Sequence, residues 1–83
     1  MEAIMARKVY VTVVVDFNLD GKMTPKKITW EDGREFEIDR ITDIRRAASL
    51  AAGGNGTRYT CMIHDKPVPL FFEETRWFME GKK

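Results

Sequence analysis

Arginine is the residue type whose placement in this chain comes nearest to a binding pattern. Arg40, Arg45, Arg46 and Arg58 flank the run Gly53-Gly54-Asn55-Gly56, and five of the seven arginines fall between positions 34 and 58. A guanidinium fork grips phosphate or carboxylate through two parallel N–H bonds, and a glycine loop lets backbone approach a ligand. Aromatic side chains at Tyr10, Trp30, Phe71 or Phe78 would stack bases if they stood on an outer sheet face, as in single-strand binders. The charge balance weighs the other way. Glu31, Asp32, Glu35, Glu37, Asp39 and Asp43 lie within thirteen residues of the same region, and the chain carries 14 basic against 13 acidic side chains, a formal charge of +1. Nucleic-acid binders usually show a basic excess. Structural salt bridges are the expectation for these arginines, with nucleic-acid binding as the second reading.

Other chemistry is sparsely supplied. Cys61 and His64 are the only cysteine and histidine. Three apart on a strand, they point to opposite faces, whereas zinc wants three or four nitrogen or sulfur ligands. A buried structural cysteine and a surface histidine are expected, and no metal or other cofactor. One cysteine permits no internal disulfide, which fits a reducing, cytoplasmic setting. Nothing beside Cys61 in the sequence would lower its pKa, and Ser49 lacks a glycine elbow. A domain of this size has little room for a pocket, so no enzymatic activity is expected. Glu35, Glu37 and Asp39 alternate along one strand face, where cross-strand basic partners are the simpler account than a metal or acid/base site.

Two Trp, five Phe and two Tyr in 83 residues are plentiful. Phe71-Phe72 and Trp77-Phe78 are adjacent pairs, so one member of each points away from its neighbour. If left uncovered, Phe71, Trp77 and Phe78 would form an apolar patch of the kind that marks a partner surface.

The elements that must carry these residues read as strands. Lys8 to Phe17 (KVYVTVVVDF) places Val9, Val11, Val13, Val15 and Phe17 on one face, the expected core side, and Tyr10, Thr12, Val14 and Asp16 on the other. Asn18 to Lys22 is a turn in which Asp20-Gly21 supplies positive φ. A second strand starts at Pro25, with Ile28 and Trp30 facing one way and Thr29 the other. Asp32-Gly33 marks a hairpin. A third strand begins with Phe36 and Ile38 inward, then its period-2 pattern slips at Ile41 and again at Ile44, the signature of a bulge or sharp bend. Residues 43–53 fit either a short helix capped by Asp43 or a strand to about Arg46 followed by a long hairpin loop. Gly53 to Gly56 reads as a flexible turn. Further strands run from Thr57 to His64, Val68 to Glu73 and Arg76 to Glu80. Met1 to Arg7 reads as a frayed lead-in, too charged for a signal peptide, and Gly81 to Lys83 as a solvated tail. No apolar run approaches the ~20 residues of a membrane span.

Three segments carry a resemblance: ITWEDGREFEIDRITDI from Ile28 to Ile44, RYTCMI from Arg58 to Ile63, and LFFEETRWF from Leu70 to Phe78. Together they resemble small bacterial proteins of clostridial type, and more distantly a short actinobacterial family with a W-x-G-R-x-Y-x-V pattern, a later R-Y-Y-like strand and a terminal R-W strand. The resemblance covers residues 26 to 80 and departs at Phe36, where the distant family often has an aromatic hydroxyl, and in the loop 47–56. It implies strands, not an activity. For the distant family, genome context implies company with DNA-repair polymerases, and such company assigns no chemistry.

The whole reading is a single all-β domain over 1–83: a small antiparallel SH3-like barrel of about six strands with at most one short helix. Its expected function is a cytoplasmic, non-enzymatic protein-interaction module. The module would be a homodimer or take another protein partner, using exposed aromatics or a strand edge. Weak nucleic-acid binding through Arg40, Arg45, Arg46 and Arg58 is the alternative. No membrane partner is expected.

Overall fold

The computed structural model describes residues 6–49 and 53–82. Seven strands are found there: β1 (Ala6–Phe17), β2 (Met23–Thr29), β3 (Glu35–Glu37), β4 (Arg40–Ser49), β5 (Gly53–Ile63), β6 (Lys66–Glu73) and β7 (Arg76–Lys82). They form one antiparallel sheet in the order β3-β2-β1-β7-β6-β5-β4. The valine-rich run makes β1 because β-branched side chains suit a pleated surface. Left-handed or glycine-like conformations close the connections: Gly21 at φ 81°, Gly33 at φ 92°, and His64, Asp65 and Glu74 at φ 51–63°. In the first turn the Asn18 N–H donates to the Lys22 carbonyl at 3.1 Å, and in the second the Gly33 N–H donates to the Trp30 carbonyl at 2.9 Å.

The sheet curls because one strand of the sequence pattern is shared between its two edges. β3 and β4 are consecutive in the chain but stand at opposite ends of the strand order. The link between them binds both edges: the Ile38 N–H donates to the Lys26 carbonyl of β2 at 2.9 Å, and the Asp39 N–H to the Met62 carbonyl of β5 at 2.8 Å. The result is a barrel-like half-roll. Two bulges assist. Lys26 is the extra residue where the register steps from Val14↔Lys27 to Val15↔Pro25. Thr42 is the extra residue where it steps from Ile41↔Cys61 to Asp43↔Thr60. An extra residue bends a strand and raises its twist. Pro25, which has no N–H to give a ladder, is buried beside the first bulge.

The concave side holds the main core. Ile28, Ile38, Tyr59, Cys61, Ile63, Leu70 and Trp77 form it, with Val11, Val13, Val15, Phe36, Ile41, Val68, Phe72 and Met79 packed around them. Fully burying one such aliphatic side chain is worth about 1.5–3 kcal/mol. Tyr59 and Phe72 both lie against Trp77, with ring centroids 5.2 and 4.6 Å away.

Several expectations need correction. The third strand of the sequence pattern is cut at Ile38-Asp39, so seven strands replace six. Of the two readings of residues 43–53 the strand holds, continuing past Arg46 to Ser49 in β4; no helix occurs among the described residues, and 50–52 lie outside them. The glycine run is not a turn: Gly53 to Gly56 belong to β5, where Gly53, Asn55 and Gly56 pair with β4 and Gly54 is the extra residue of a further register step. Ladder pairing of residues 43–49 across to β5 outweighs the helical spacing of the alanines, because each pair satisfies main-chain groups along the whole hairpin. Ala6 and Arg7 pair with Lys82 and Gly81, so both ends enter the sheet further than the composition implies; residues 1–5 and 83 lie outside the described residues. Phe17 is 68% exposed. β7 pairs with β1 only as far as Val11; Thr12 to Val14 continue beside β2 and β3, and Val15 to Phe17 run on with β2 alone.

Candidate functional site

β4 is an edge strand of ten residues whose only ladder partner among the described residues is β5. The arginines of the sequence reading gather on this hairpin, but they do not act alike. Arg45 and Arg58 are register partners, a like-charge pair that would repel. Asp43 resolves it. Arg45 donates Nε–H to Asp43 Oδ2 at 2.7 Å and a second bond to Oδ1 at 3.2 Å, while the Arg58 guanidinium stands 3.9 Å away. The Arg45 hydrogen bonds hold the Asp43 carboxyl below its ordinary value, with the positive charges of Arg45 and Arg58 adding to the effect. Arg58 Nε is buried with no hydrogen-bond partner, so this side chain is anchored in the sheet surface and is not a swinging phosphate clamp. Arg40 and Arg46 are exposed and make no ion pair among the described residues. They lie along the same free edge, with Ile44, 49% exposed, between them.

The aromatics that would form a patch if left bare are covered. Phe71, Phe78 and Trp77 are only 3%, 1% and 9% exposed. Trp77 belongs to the concave core. Phe71 and Phe78 point to the convex face, as the adjacent-pair argument requires, and there they build a second apolar layer. Their rings stack at 5.0 Å with planes 10° apart, and Tyr10 meets Phe78 edge-on at 6.1 Å. Charged side chains roof this layer. Lys8 Nζ stands 4.8 Å from the Phe78 ring centre and donates to Glu73 Oε1 at 2.7 Å; the Arg76 guanidinium lies 3.9 Å from the Tyr10 ring centre. Each cation is drawn to the negative face of the ring beneath it. Phe71 and Phe78 are therefore unavailable as stacking platforms.

Trp30 is the one aromatic of the sequence reading that opens onto a cavity. A hollow of about 400 Å³ lies at the end of the roll between the β2–β3 hairpin and the β5–β6 turn. Ile28, Trp30, Phe36, Ile63, Val68 and Met79 line it, and Arg34, His64 and Lys66 complete it. The sequence reading leaves little room for a pocket in so short a chain. Curling the sheet supplies the room, because inward side chains at the end of a roll have no layer beyond them to fill the space. Phe36, Ile63 and Val68 are visible in the sequence as inward residues, but their convergence needs the register.

Cys61 is fully buried in the concave core. Its Sγ–H points to the Tyr59 carbonyl at 3.6 Å, and burial pushes the thiol up to about 11. His64 is an exposed turn residue. Among the described residues no group of three or more histidine, cysteine or acidic side chains is placed to hold a metal ion, and no helix is long and apolar enough to cross a membrane. No protein-family model, curated protein or solved structure matches this chain.

Proposed function

We propose that the protein is a non-enzymatic interaction module that adds an extended, acidic segment of a partner protein to the free edge of β4. The observation that carries this reading is the edge itself: ten residues of strand, paired on one side only. Natural sheets shorten or cover such edges, because open N–H and C=O groups recruit another strand. Strand addition draws affinity from main-chain bonds and selectivity from side chains beside them. Here the flanking side chains that lack an ion pair among the described residues are Arg40 and Arg46, so acidic side chains on the incoming strand would be favoured. The neutralisation of Arg45 by Asp43 and the burial of Phe71 and Phe78 favour a protein strand over single-stranded nucleic acid, since both the phosphate-binding charge and the stacking faces are reduced.

Arg40 is opposite Met62 and Arg46 opposite Thr57, on opposite faces of the hairpin, so the test uses an eight-residue Val/Thr peptide with Glu on both faces of the strand, the same peptide with a central Pro, and a twelve-nucleotide single strand. Amide NMR shifts confined to Arg40 to Ser49 with the first peptide, abolished by the Pro, are the expected result. The double variant Arg40→Glu, Arg46→Glu should weaken that binding at least about tenfold, roughly what two charge-assisted contacts supply. Oligonucleotide binding that falls steeply with salt, with no peptide response, would replace this reading with the nucleic-acid one.

A further inference from the structure

We infer that the cavity at the end of the roll is a binding site for a small amphipathic anion: an apolar tail carrying one carboxylate or similar acidic head. This site is separate from the β4 edge. No β4 residue lines the cavity, although Ile63 follows Met62, the register partner of Arg40 at the start of β4.

Size, lining and charge agree. A volume of about 400 Å³ falls within the ~300–1,000 Å³ of small-molecule sites. The floor is hydrocarbon and ring: Ile28 and Ile63 are buried, and Trp30, Phe36, Val68 and Met79 are each partly exposed around them. Met is an adaptable wall, able to follow a flexible tail. Such a lining gives no partner to a polar body and favours a chain or ring that displaces water.

The polar complement is one-sided. Arg34, His64 and Lys66 contribute to the lining and no acidic residue does. All three are exposed, which puts them at the rim. Arg34 gives its Nε–H to Asp32 Oδ2 at 2.7 Å, and its guanidinium sits 5.6 Å from the centre of the Phe36 ring. Asp32 thus holds Arg34 across the wall and takes up part of its charge. Lys66 has no ion pair among the described residues. An ammonium beside an apolar hollow is the arrangement that selects an anionic head over a neutral or cationic one, because only the anion gains a charge-assisted bond as its tail is buried. His64 and Asp65 hold the β5–β6 turn in left-handed conformations, with φ 51° and 63°, which fixes Lys66 at the start of β6 close to the rim.

The experiment compares decanoate, decanol and decylamine, each below its micelle concentration, with the intact protein. Binding is followed by Trp30 indole and Met79 methyl NMR signals, and by tryptophan fluorescence with a Trp30→Phe control to exclude a contribution from Trp77. The expected result is saturable decanoate binding with shifts at Trp30, Val68 and Met79, at least about tenfold tighter than decanol, and no decylamine binding. Lys66→Glu should erase the preference for decanoate while leaving decanol binding in place, and Lys66→Arg should keep it. Equal affinity for decanoate and decanol in the wild-type protein, or shifts spread over the convex face, would overturn the proposal, as would the absence of saturable binding. The decisive comparison uses the unmodified chain, so its outcome does not depend on the stability of any variant.

Discussion

At the residue scale, two glycines are fixed by what lies beside them. A Cβ at Gly56 would stand 2.5 Å from the Phe72 carbonyl oxygen, and one at Gly81 would stand 2.5 Å from Val9 Cγ2. The first obstacle is backbone and has no rotamer to change. Gly56→Ala should therefore cost about 1–3 kcal/mol in urea denaturation, and it should shift β5–β6 amides in particular. The Cys61 thiol should resist a disulfide reagent at pH 8 in the native state and react at once in denaturant, since it is buried and pushed up to about 11; native-state labelling at the unfolded rate would contradict its placement. Acid sensitivity has a definite sign. Asp43 is lowered from 3.8 chiefly by the Arg45 hydrogen bond, and Asp32 chiefly by the bond from the Arg34 N–H. Both carboxylates bind protons more readily in the unfolded chain, so their contribution is complete above that ordinary value and is lost as pH falls through the lowered folded one. Asp43→Asn should flatten the acid limb of a melting-temperature profile below about pH 4.

At the element scale, the half-roll depends on where the strand pattern breaks. The two phase slips at Ile41 and Ile44 are legible in the sequence as a bulge or a sharp bend; the structure has both, the Ile38-Asp39 crossing and the Thr42 bulge. Deleting Thr42 leaves every β4–β5 pair in register and removes only the extra residue. That variant should fold, with near-ultraviolet dichroism from Tyr59 and Trp77 retained. Inserting one residue after Asp43 should instead turn Arg45 toward the concave face and abolish the signal. The hairpin turns, the alternation of β5 to β7 and the burial of Val9 and Ile28 are equally readable, because local turn chemistry and period-2 burial dictate them. The course of residues 43–49 is not. Ala47 and Ala48 suit either state, and only pairing across to residues 55–57 decides it. The covered state of Phe71 and Phe78 is hidden for a similar reason: their roof comes from Lys8 and Tyr10, far away in sequence.

At the scale of the whole molecule, the shape is extended. The radius of gyration is 12.8 Å and the longest extent 49 Å, against roughly 12 Å expected for the radius of gyration of a compact chain of this length. Two hairpins run beyond the rest of the sheet, β1–β2 past Val14 and β4–β5 past the Thr57↔Phe72 pair. They end in different ways. The first exposes Phe17 and Leu19 at its tip, whereas residues 47–49 and 53–56 of the second are small and uncharged, with Arg45 and Arg46 set back where β5 still pairs with β6. Replacing both tip residues with Ser should therefore leave the melting temperature nearly unchanged and improve solubility at high concentration, read by light scattering.

The two apolar layers on either side of β6 and β7 have a kinetic consequence. Tyr59, Leu70 and Trp77 seal one side and Phe71 and Phe78 the other, so water reaches the amides of these two strands only through large openings of the domain. Deuterium uptake should be slowest there and quicker at 15–17 and 47–49, each with a ladder on one side only, which would make the β6–β7 pair the last part of the described sheet to come apart.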